Sequence, residues 1–167
     1  MVLPSQLACF RYEKQDPLKG FEFKDEYYPM EQVDYSQITE QEPIEADYEG
    51  YLRELLQYLK DNDLQAFFVV APYVMEGEEK QRKYNYMQEI IESYGYEFKN
   101  LNEDTEEMSF DFGTDFYDKG VHTNAIGAEK TTAYFGKYLK EHFDLPDHRG
   151  DPSYKSWDTA YAKWTEQ

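Results

Sequence analysis

One nine-residue segment, apolar along both of its faces, constrains the fold more than any other part of the sequence. Residues 64–72 read Leu-Gln-Ala-Phe-Phe-Val-Val-Ala-Pro, with β-branched and aromatic side chains at consecutive positions. A strand of this kind is covered on both sides, which is typical of a parallel sheet with helices on both faces. Pro72 ends the run because proline cannot donate a hydrogen bond to a sheet ladder. The segment therefore predicts a buried parallel strand.

Helical periodicity surrounds this strand. A first helix is predicted to begin near Asp47, because apolar residues recur there at spacings of four, three and four. Its predicted apolar stripe consists of Tyr48, Leu52, Leu55 and Leu59. A second helix over residues 78–94, a second strand over 96–101 and a last helix over 124–142 follow. This alternation of helices and strands favours an α/β domain with a parallel sheet.

The N-terminal part of the chain lacks the alternation of helices and strands seen after it. Residues 1–46 contain four prolines and at most one short edge strand, so they are predicted to form an irregular segment packed on a domain of residues 47–167. Parallel sheets usually contain about four to six strands. We therefore expect this sheet to be incomplete on its N-terminal side, and the chain to be the C-terminal portion of a longer protein. An incomplete sheet exposes an edge, which predicts self-association.

Aromatic residues recur in the tail at helical spacing. Trp157, Tyr161 and Trp164 are four and three positions apart. This spacing predicts a short helix that packs back on the domain. Packing in the core is the favoured role of these rings, and stacking on sugar rings is the alternative.

Charge and composition exclude several functions. The net charge is −18, from 35 acidic and 17 basic residues, and no basic stripe interrupts the acidity. We expect no binding to nucleic acid and no contact with an anionic membrane, since both are bound largely through lysine and arginine. Cys9 is the only cysteine, which excludes an internal disulfide and a cysteine-based zinc site. The chain as written is expected to be soluble, with export or anchoring only through an upstream segment, and no cofactor is predicted.

Residues 115–124, Asp-Phe-Tyr-Asp-Lys-Gly-Val-His-Thr-Asn, carry the chemistry. They follow the last predicted strand and precede the last helix, at the carboxyl edge of the sheet, where ligands bind in open α/β folds. A histidine there can reach a substrate, and a carboxylate a few residues earlier can accept its Nδ1–H. This is the base and orienter half of a serine hydrolase triad. Asn124 is predicted to cap the last helix. Asp115, Asp118 and His122 together are also a candidate metal site.

Residues 115–131 resemble the histidine block of SGNH/GDSL hydrolase-like proteins, most closely the bacterial members. Further matches are Ala71-Pro72 after the buried strand, the segment 145–151, and Trp157-Asp158, so that the resemblance covers roughly residues 47–160. It implies a three-layer α/β/α, flavodoxin-like fold. It also implies hydrolysis of an ester or acyl group on a small molecule, a carbohydrate or a lipid. In this family the equivalent of His122 is the general base and the equivalent of Asp118 its partner.

The sequence departs from the family pattern in two places. The family spaces the pair as Asp-x-x-His, whereas Asp118 stands four positions before His122, and this leaves Asp115 as a second candidate for the orienting role. The family nucleophile lies in a Gly-x-Ser turn after the first strand, and none of the six serines here lies in such a turn. Two functions follow. The chain is the C-terminal part of an esterase whose serine lies on other sequence, or it is a non-catalytic SGNH-like binding or assembly module.

Overall fold

The computed structural model describes residues 18–166, and these residues form four α-helices and two β-strands. In chain order the elements are α1 (Ala46–Asp61), β1 (Phe67–Val70), α2 (Glu78–Ser93), β2 (Glu97–Asn100), α3 (Ala125–His142) and α4 (Lys155–Thr165). A short 3-10 helix, Pro152–Tyr154, leads into α4. The two strands are parallel, with Phe67 opposite Glu97 and Val70 opposite Asn100. The predicted mixed α/β class with a parallel sheet is therefore confirmed.

The chain divides into two compact units. Lys24–His142 contains α1 to α3 and the sheet. The other unit contains, of the described residues, 18–23 and 143–166 with α4. In this second unit the Phe21 ring meets the Trp164 ring edge-on at 6.5 Å, and the Lys19 Nζ atom lies 5.3 Å from the centre of the Trp157 ring. The predicted boundary between residues 46 and 47 stays a prediction.

Helices contact both faces of the small sheet. On one face, Phe68 and Phe98 pack against a buried cluster contributed by α1 and α2. Its fully buried members are Leu56, Ile90 and Ile91. On the other face, the Phe67 ring contacts the rings of Phe135 and Tyr138 on α3, with centroid distances of 5.3 and 5.5 Å. Burial of apolar side chains on both sides holds β1 and β2 between the helices.

The apolar stripe predicted for α1 is wrong at two positions. Leu56 is fully buried, whereas Leu55 and Tyr48 are 47% and 62% exposed. The segment carries apolar side chains on two adjacent stripes, so periodicity alone could not choose between them. Packing against Ile90 and Ile91 of α2 selects the stripe that contains Leu56.

The strand β1 is shorter and more exposed than predicted. It spans Phe67–Val70, and Val69 is 43% exposed, so the prediction that both faces are covered is wrong at this residue. The described residues place a neighbouring strand only on the β2 side of β1. A strand at the edge of a sheet keeps part of its surface in water.

The tail forms the predicted helix, but two of its rings are not in a core. Trp157 and Tyr161 are 59% and 67% exposed, while Trp164 is half-buried. The prediction of core packing is therefore wrong for the first two. Helical spacing determines that the three rings share a face, and only the surroundings determine which of them are covered.

An aromatic cluster supports the long connection from β2 to α3. Phe110, Phe112 and Phe116 meet one another edge-on, with ring centroids 5.2 to 5.6 Å apart. The backbone N–H groups of Tyr28 and Met30 donate to the carbonyls of Phe116 and Phe112, which attaches the N-terminal segment to the same region. Aromatic pairs in this geometry add to the energy of simple burial. The cluster is thus a rigid base for the loop that carries His122.

No helix within residues 18–166 combines the length and the apolar character needed to cross a membrane.

Candidate active site

The loop that carries His122 is a tight turn closed by its own backbone. Phe116 and Thr123 form an antiparallel bridge, and the Tyr117 N–H donates to the His122 carbonyl at 3.2 Å. At the tip, the Gly120 N–H donates to the Asp118 carbonyl at 2.7 Å. These bonds bring Asp118 and His122 to facing sides of the turn.

Asp118 binds three N–H groups of this turn. Its Oδ1 accepts hydrogen bonds from the backbone N–H groups of Val121 and His122, at 2.8 and 3.0 Å. Its Oδ2 lies 2.6 Å from the His122 Nδ1. The carboxylate therefore both shapes the turn and orients the imidazole, and it favours the tautomer in which Nδ1 carries a proton.

The electrostatics of Asp118 follow from these bonds. Partial burial raises the pKa of this carboxyl, but hydrogen bonds from the His122 ring and from two backbone N–H groups outweigh that effect. The pKa of Asp118 consequently lies below its ordinary value of 3.8. Asp118 is thus ionised near neutral pH and can stabilise a protonated imidazole.

The His122 ring is open to a reactant. Its side chain is 63% exposed, and the Tyr117 ring stacks on it with centroids 5.7 Å apart. The Lys24 Nζ atom lies 5.7 Å from the centre of the same Tyr117 ring. Within residues 18–166 the His122 Nε2 atom has no hydrogen-bond partner. This nitrogen can therefore take up a proton from a bound molecule.

Gly120 permits the turn to approach the segment after β1. Its φ is +81°, a conformation that residues with a Cβ atom rarely adopt. A Cβ atom at this position would lie 2.2 Å from the Val74 Cγ2 atom. The Val74 N–H donates to the Gly120 carbonyl at 2.7 Å. The loop is thus fixed directly to the chain that leaves the carboxyl end of β1.

Asp115, the second candidate for the orienting role, lies elsewhere. It is fully buried, and its Oδ2 accepts from the Lys130 Nζ at 2.7 Å and from the Asp111 N–H at 2.8 Å. Its Oδ1 accepts from the Thr114 hydroxyl at 2.9 Å. The structure pairs His122 with Asp118 and gives Asp115 a structural ion pair. Within the described range no three side chains of His, Cys, Asp or Glu form a metal-binding group.

Asn124 caps α3, as predicted. Its Oδ1 accepts from the Gly127 N–H at 3.0 Å, and its Nδ2 donates to the carbonyls of Thr114 and Glu26 at 2.7 and 3.1 Å. The side chain is buried, so each of its bonds replaces water. Asn124 therefore fixes the start of α3 two residues after His122.

The described part of the chain contains five serines. None of Ser36, Ser93, Ser109, Ser153 and Ser156 hydrogen-bonds to the His122 ring. Ser5 lies outside the described residues. The Asp118–His122 pair therefore forms without a hydrogen bond to any serine within residues 18–166.

Sequence reasoning missed a polar pocket beside this loop. The pocket has a volume of about 340 Å³ and lies where the chain leaves β1 and β2. Asn102 joins the two strand exits, since its Oδ1 accepts from the Tyr73 N–H at 2.9 Å and its Nδ2 donates to the Ala71 carbonyl at 3.4 Å. The signal was available, because Asn100, Asn102 and Glu103 follow a strand directly, at the edge where ligands bind.

The hydroxyls of Tyr73 and Tyr84 form a hydrogen-bonded pair at 2.8 Å at this pocket. Burial, together with the hydrogen bond to Tyr84, raises the pKa of Tyr73. The Tyr73 phenol therefore stays neutral throughout the physiological range and acts as a hydrogen-bonding group.

No protein-family model, no curated protein and no solved structure matches this chain.

Proposed function

We propose that this chain is part of an SGNH/GDSL-type hydrolase, in which His122 is the general base and Asp118 orients it. The 2.6 Å hydrogen bond between Asp118 Oδ2 and His122 Nδ1 carries the proposal. It leaves the opposite ring nitrogen, Nε2, without a partner among the described residues. A histidine that is held by a carboxylate and open on its other side is the arrangement that base catalysis requires.

The proposed reaction is hydrolysis of an ester on a small molecule or a carbohydrate. The His122 Nε2 takes a proton from the attacking hydroxyl as that oxygen bonds to the ester carbonyl carbon. The ring then returns the proton to the leaving alcohol as the ester C–O bond breaks, which leaves the acyl group on the nucleophile. The same Nε2 next takes a proton from a water molecule that bonds to the acyl carbon, and it returns this proton to the nucleophile as the carboxylic acid leaves. Asp118 stabilises the imidazolium in between. The proposal assigns the nucleophile to a serine outside residues 18–166, because no serine within them hydrogen-bonds to His122.

The three-layer α/β/α arrangement belongs to the same proposal. It is supported by the contacts of Phe68 with the α1 and α2 side and of Phe67 with α3 on the opposite side. The loop with His122 is fixed to the chain that leaves β1, at the carboxyl end of the strand. That edge is where parallel α/β sheets bind their substrates.

Hydrolysis of p-nitrophenyl acetate by the full chain tests the role of His122. We expect slow turnover that falls at least about tenfold in His122→Ala, in line with the loss of a general base. Asp118→Asn is expected to reduce the rate as well, because an asparagine favours the wrong tautomer of the ring.

His148→Ala is the matched control. His148 is a partly exposed imidazole with an aspartate nearby, but its Nδ1 lies 3.9 Å from the Asp151 Oδ2, too far for a hydrogen bond. This variant should keep the wild-type rate. Equal rates in wild type, His122→Ala and His148→Ala would overturn the assignment of the base.

The second candidate function is a non-catalytic SGNH-like binding or assembly module. The lack of a hydrogen bond between His122 and any described serine favours it. It predicts that no ester in a series of p-nitrophenyl esters with increasing acyl length is hydrolysed in a His122-dependent way. Hydrolysis that depends on His122 would exclude it.

A further inference from the structure

The pocket at the strand exits is built from segments that lie close in space but far apart in sequence. Residues 73–75 follow β1, and residues 102, 103, 105 and 106 follow β2. Residues 32–36 of the N-terminal segment form a further wall. A volume of about 340 Å³ suits one or two sugar rings or another compact small molecule.

The base of the pocket is a buried network of amide groups. The Gln81 Nε2 and the Asn100 Nδ2 both donate to the Glu103 Oε1, at 2.8 and 3.2 Å. The Asn102 Nδ2 donates to the Asn100 Oδ1 at 2.9 Å. Gln81, Asn100 and Asn102 are all buried. A satisfied network of this kind is rigid, so the pocket keeps its shape before a ligand arrives.

Two hydroxyl groups at the pocket have an O–H donor that no described acceptor uses. The Thr105 Oγ1 accepts from the Gln32 Nε2 at 2.9 Å, and the Tyr35 hydroxyl accepts from the Gly77 N–H at 3.1 Å. Neither hydroxyl donates to an acceptor within residues 18–166. Each is therefore held in place by one hydrogen bond and can donate another to a ligand.

The charged residues in the described lining are all acidic. Asp34, Glu103 and Glu106 line the pocket, and the described lining contains no lysine or arginine. Anionic ligands are thereby disfavoured. Asp34 accepts from the Ser36 N–H, and Glu103 accepts from two amides, so internal hydrogen bonds hold two of the three carboxylates in place.

We infer that this pocket binds a neutral, hydroxyl-rich sugar unit, with the hydroxyls of Tyr35 and Thr105 as donors to it. Tyr73 also belongs to the lining, and aromatic residues are common in pockets for small molecules. The Val74 N–H bond to the Gly120 carbonyl connects the pocket wall with the His122 loop. The inference rests on the proposed function only in one respect, namely that this sugar is the non-reacting part of the ester substrate.

The test is a calorimetric titration of the full chain with D-glucose, D-galactose and N-acetylglucosamine. D-glucuronate and D-glucosamine supply the anionic and cationic counterparts of the same ring. We expect at least one neutral sugar to bind with a dissociation constant in the millimolar range or below, and glucuronate to bind more weakly. No binding of any neutral sugar up to about 50 mM, or tighter binding of glucosamine, would overturn the inference.

Two substitutions probe the hydroxyls. Tyr35→Phe and Thr105→Val should each weaken binding by about fivefold, the effect of one lost hydrogen bond. Tyr58→Phe is the matched control, since Tyr58 is exposed on α1 and does not line the pocket. If all three variants bound the sugar as tightly as wild type, the sugar would bind elsewhere, and the assignment of Tyr35 and Thr105 as its donors would be refuted.

His122→Ala separates this inference from the proposed function. The variant should bind the neutral sugar as wild type does, because His122 does not line the pocket. If wild type binds no neutral sugar but hydrolyses the ester in a His122-dependent way, only the assignment of the pocket is refuted. If wild type binds the sugar but its hydrolysis does not depend on His122, only the assignment of the base is refuted. Loss of sugar binding in the single variant His122→Ala would contradict the assignment of the binding site to residues 32–36 and 102–106.

Discussion

Two aspartates three positions apart in one loop make side-chain hydrogen bonds of nearly equal length in opposite surroundings. Asp118 Oδ2 lies 2.6 Å from the His122 Nδ1, and Asp115 Oδ2 lies 2.7 Å from the Lys130 Nζ. The His122 side chain is 63% exposed, whereas the Asp115 side chain is fully buried. Distance alone would rank the two pairs as equivalent.

Their surroundings give the two pairs different roles. Every oxygen of Asp115 is bonded within the fold, to Asp111, Thr114 and Lys130, so that this carboxylate cannot act on a ligand. Asp118 binds a ring whose other nitrogen has no partner among the described residues. The buried Asp115–Lys130 pair therefore maintains the loop, while the exposed Asp118–His122 pair is available for chemistry.

Removing Asp115 should produce the largest effect on stability. Asp115→Ala leaves the Lys130 ammonium and two further donors without their buried acceptor, which costs about 3–5 kcal/mol of the free energy of unfolding. Asp118→Ala should cost about 1 kcal/mol, because water replaces its bonds. Urea unfolding of both variants measures the difference. A loss at Asp118 as large as that at Asp115 would contradict the division of roles.

A smaller effect on the free energy of unfolding is expected at Gly127, where α3 packs against Asp115. In Gly127→Ala the new Cβ atom would lie 2.3 Å from the Asp115 carbonyl oxygen, which must move. We expect a cost of about 1–3 kcal/mol, as for other overpacked sites. Gly136→Ala on the same helix meets nothing within 4 Å and should stabilise by about 0.5–1 kcal/mol. Chemical denaturation would show whether the two glycines differ in this way.

The smallest effect concerns pH. Because the folded pKa of Asp118 is below the unfolded value of 3.8, its contribution to stability is complete above that value and is lost as the pH falls through the folded pKa. The stability difference between wild type and Asp118→Ala should therefore narrow as the pH falls from about 5 to below about 3.8. Urea midpoints at these pH values provide the measurement. A difference that widens as the pH falls below 3.8 would contradict the lowered pKa of Asp118.

Part of the candidate site was accessible from the sequence. A histidine four residues after an aspartate, in a glycine turn before a helix, predicted the Asp118–His122 region and the Asn124 cap. The turn is local, and its bonds join residues only a few positions apart. Local bonds of this kind leave a signature in the spacing of residues.

The N-terminal wall of the pocket and the choice between the two aspartates had no such signature. Asp115 meets Lys130 fifteen positions later, and Gln32 meets Thr105 seventy-three positions later. These partners are set by the way the chain returns on itself. Spacing along the sequence contains no direct information about such contacts.

The sequence by itself determined the order of helices and strands, the parallel α/β class and the turn that holds His122. These features depend on periodicity and short-range hydrogen bonding, which are properties of consecutive residues. Tertiary structure alone decided that Leu56 rather than Leu55 is buried in α1, that Trp157 and Tyr161 stay exposed, and that Asp115 pairs with Lys130. The physical reason is that burial depends on what covers a side chain, and the covering groups come from distant parts of the chain.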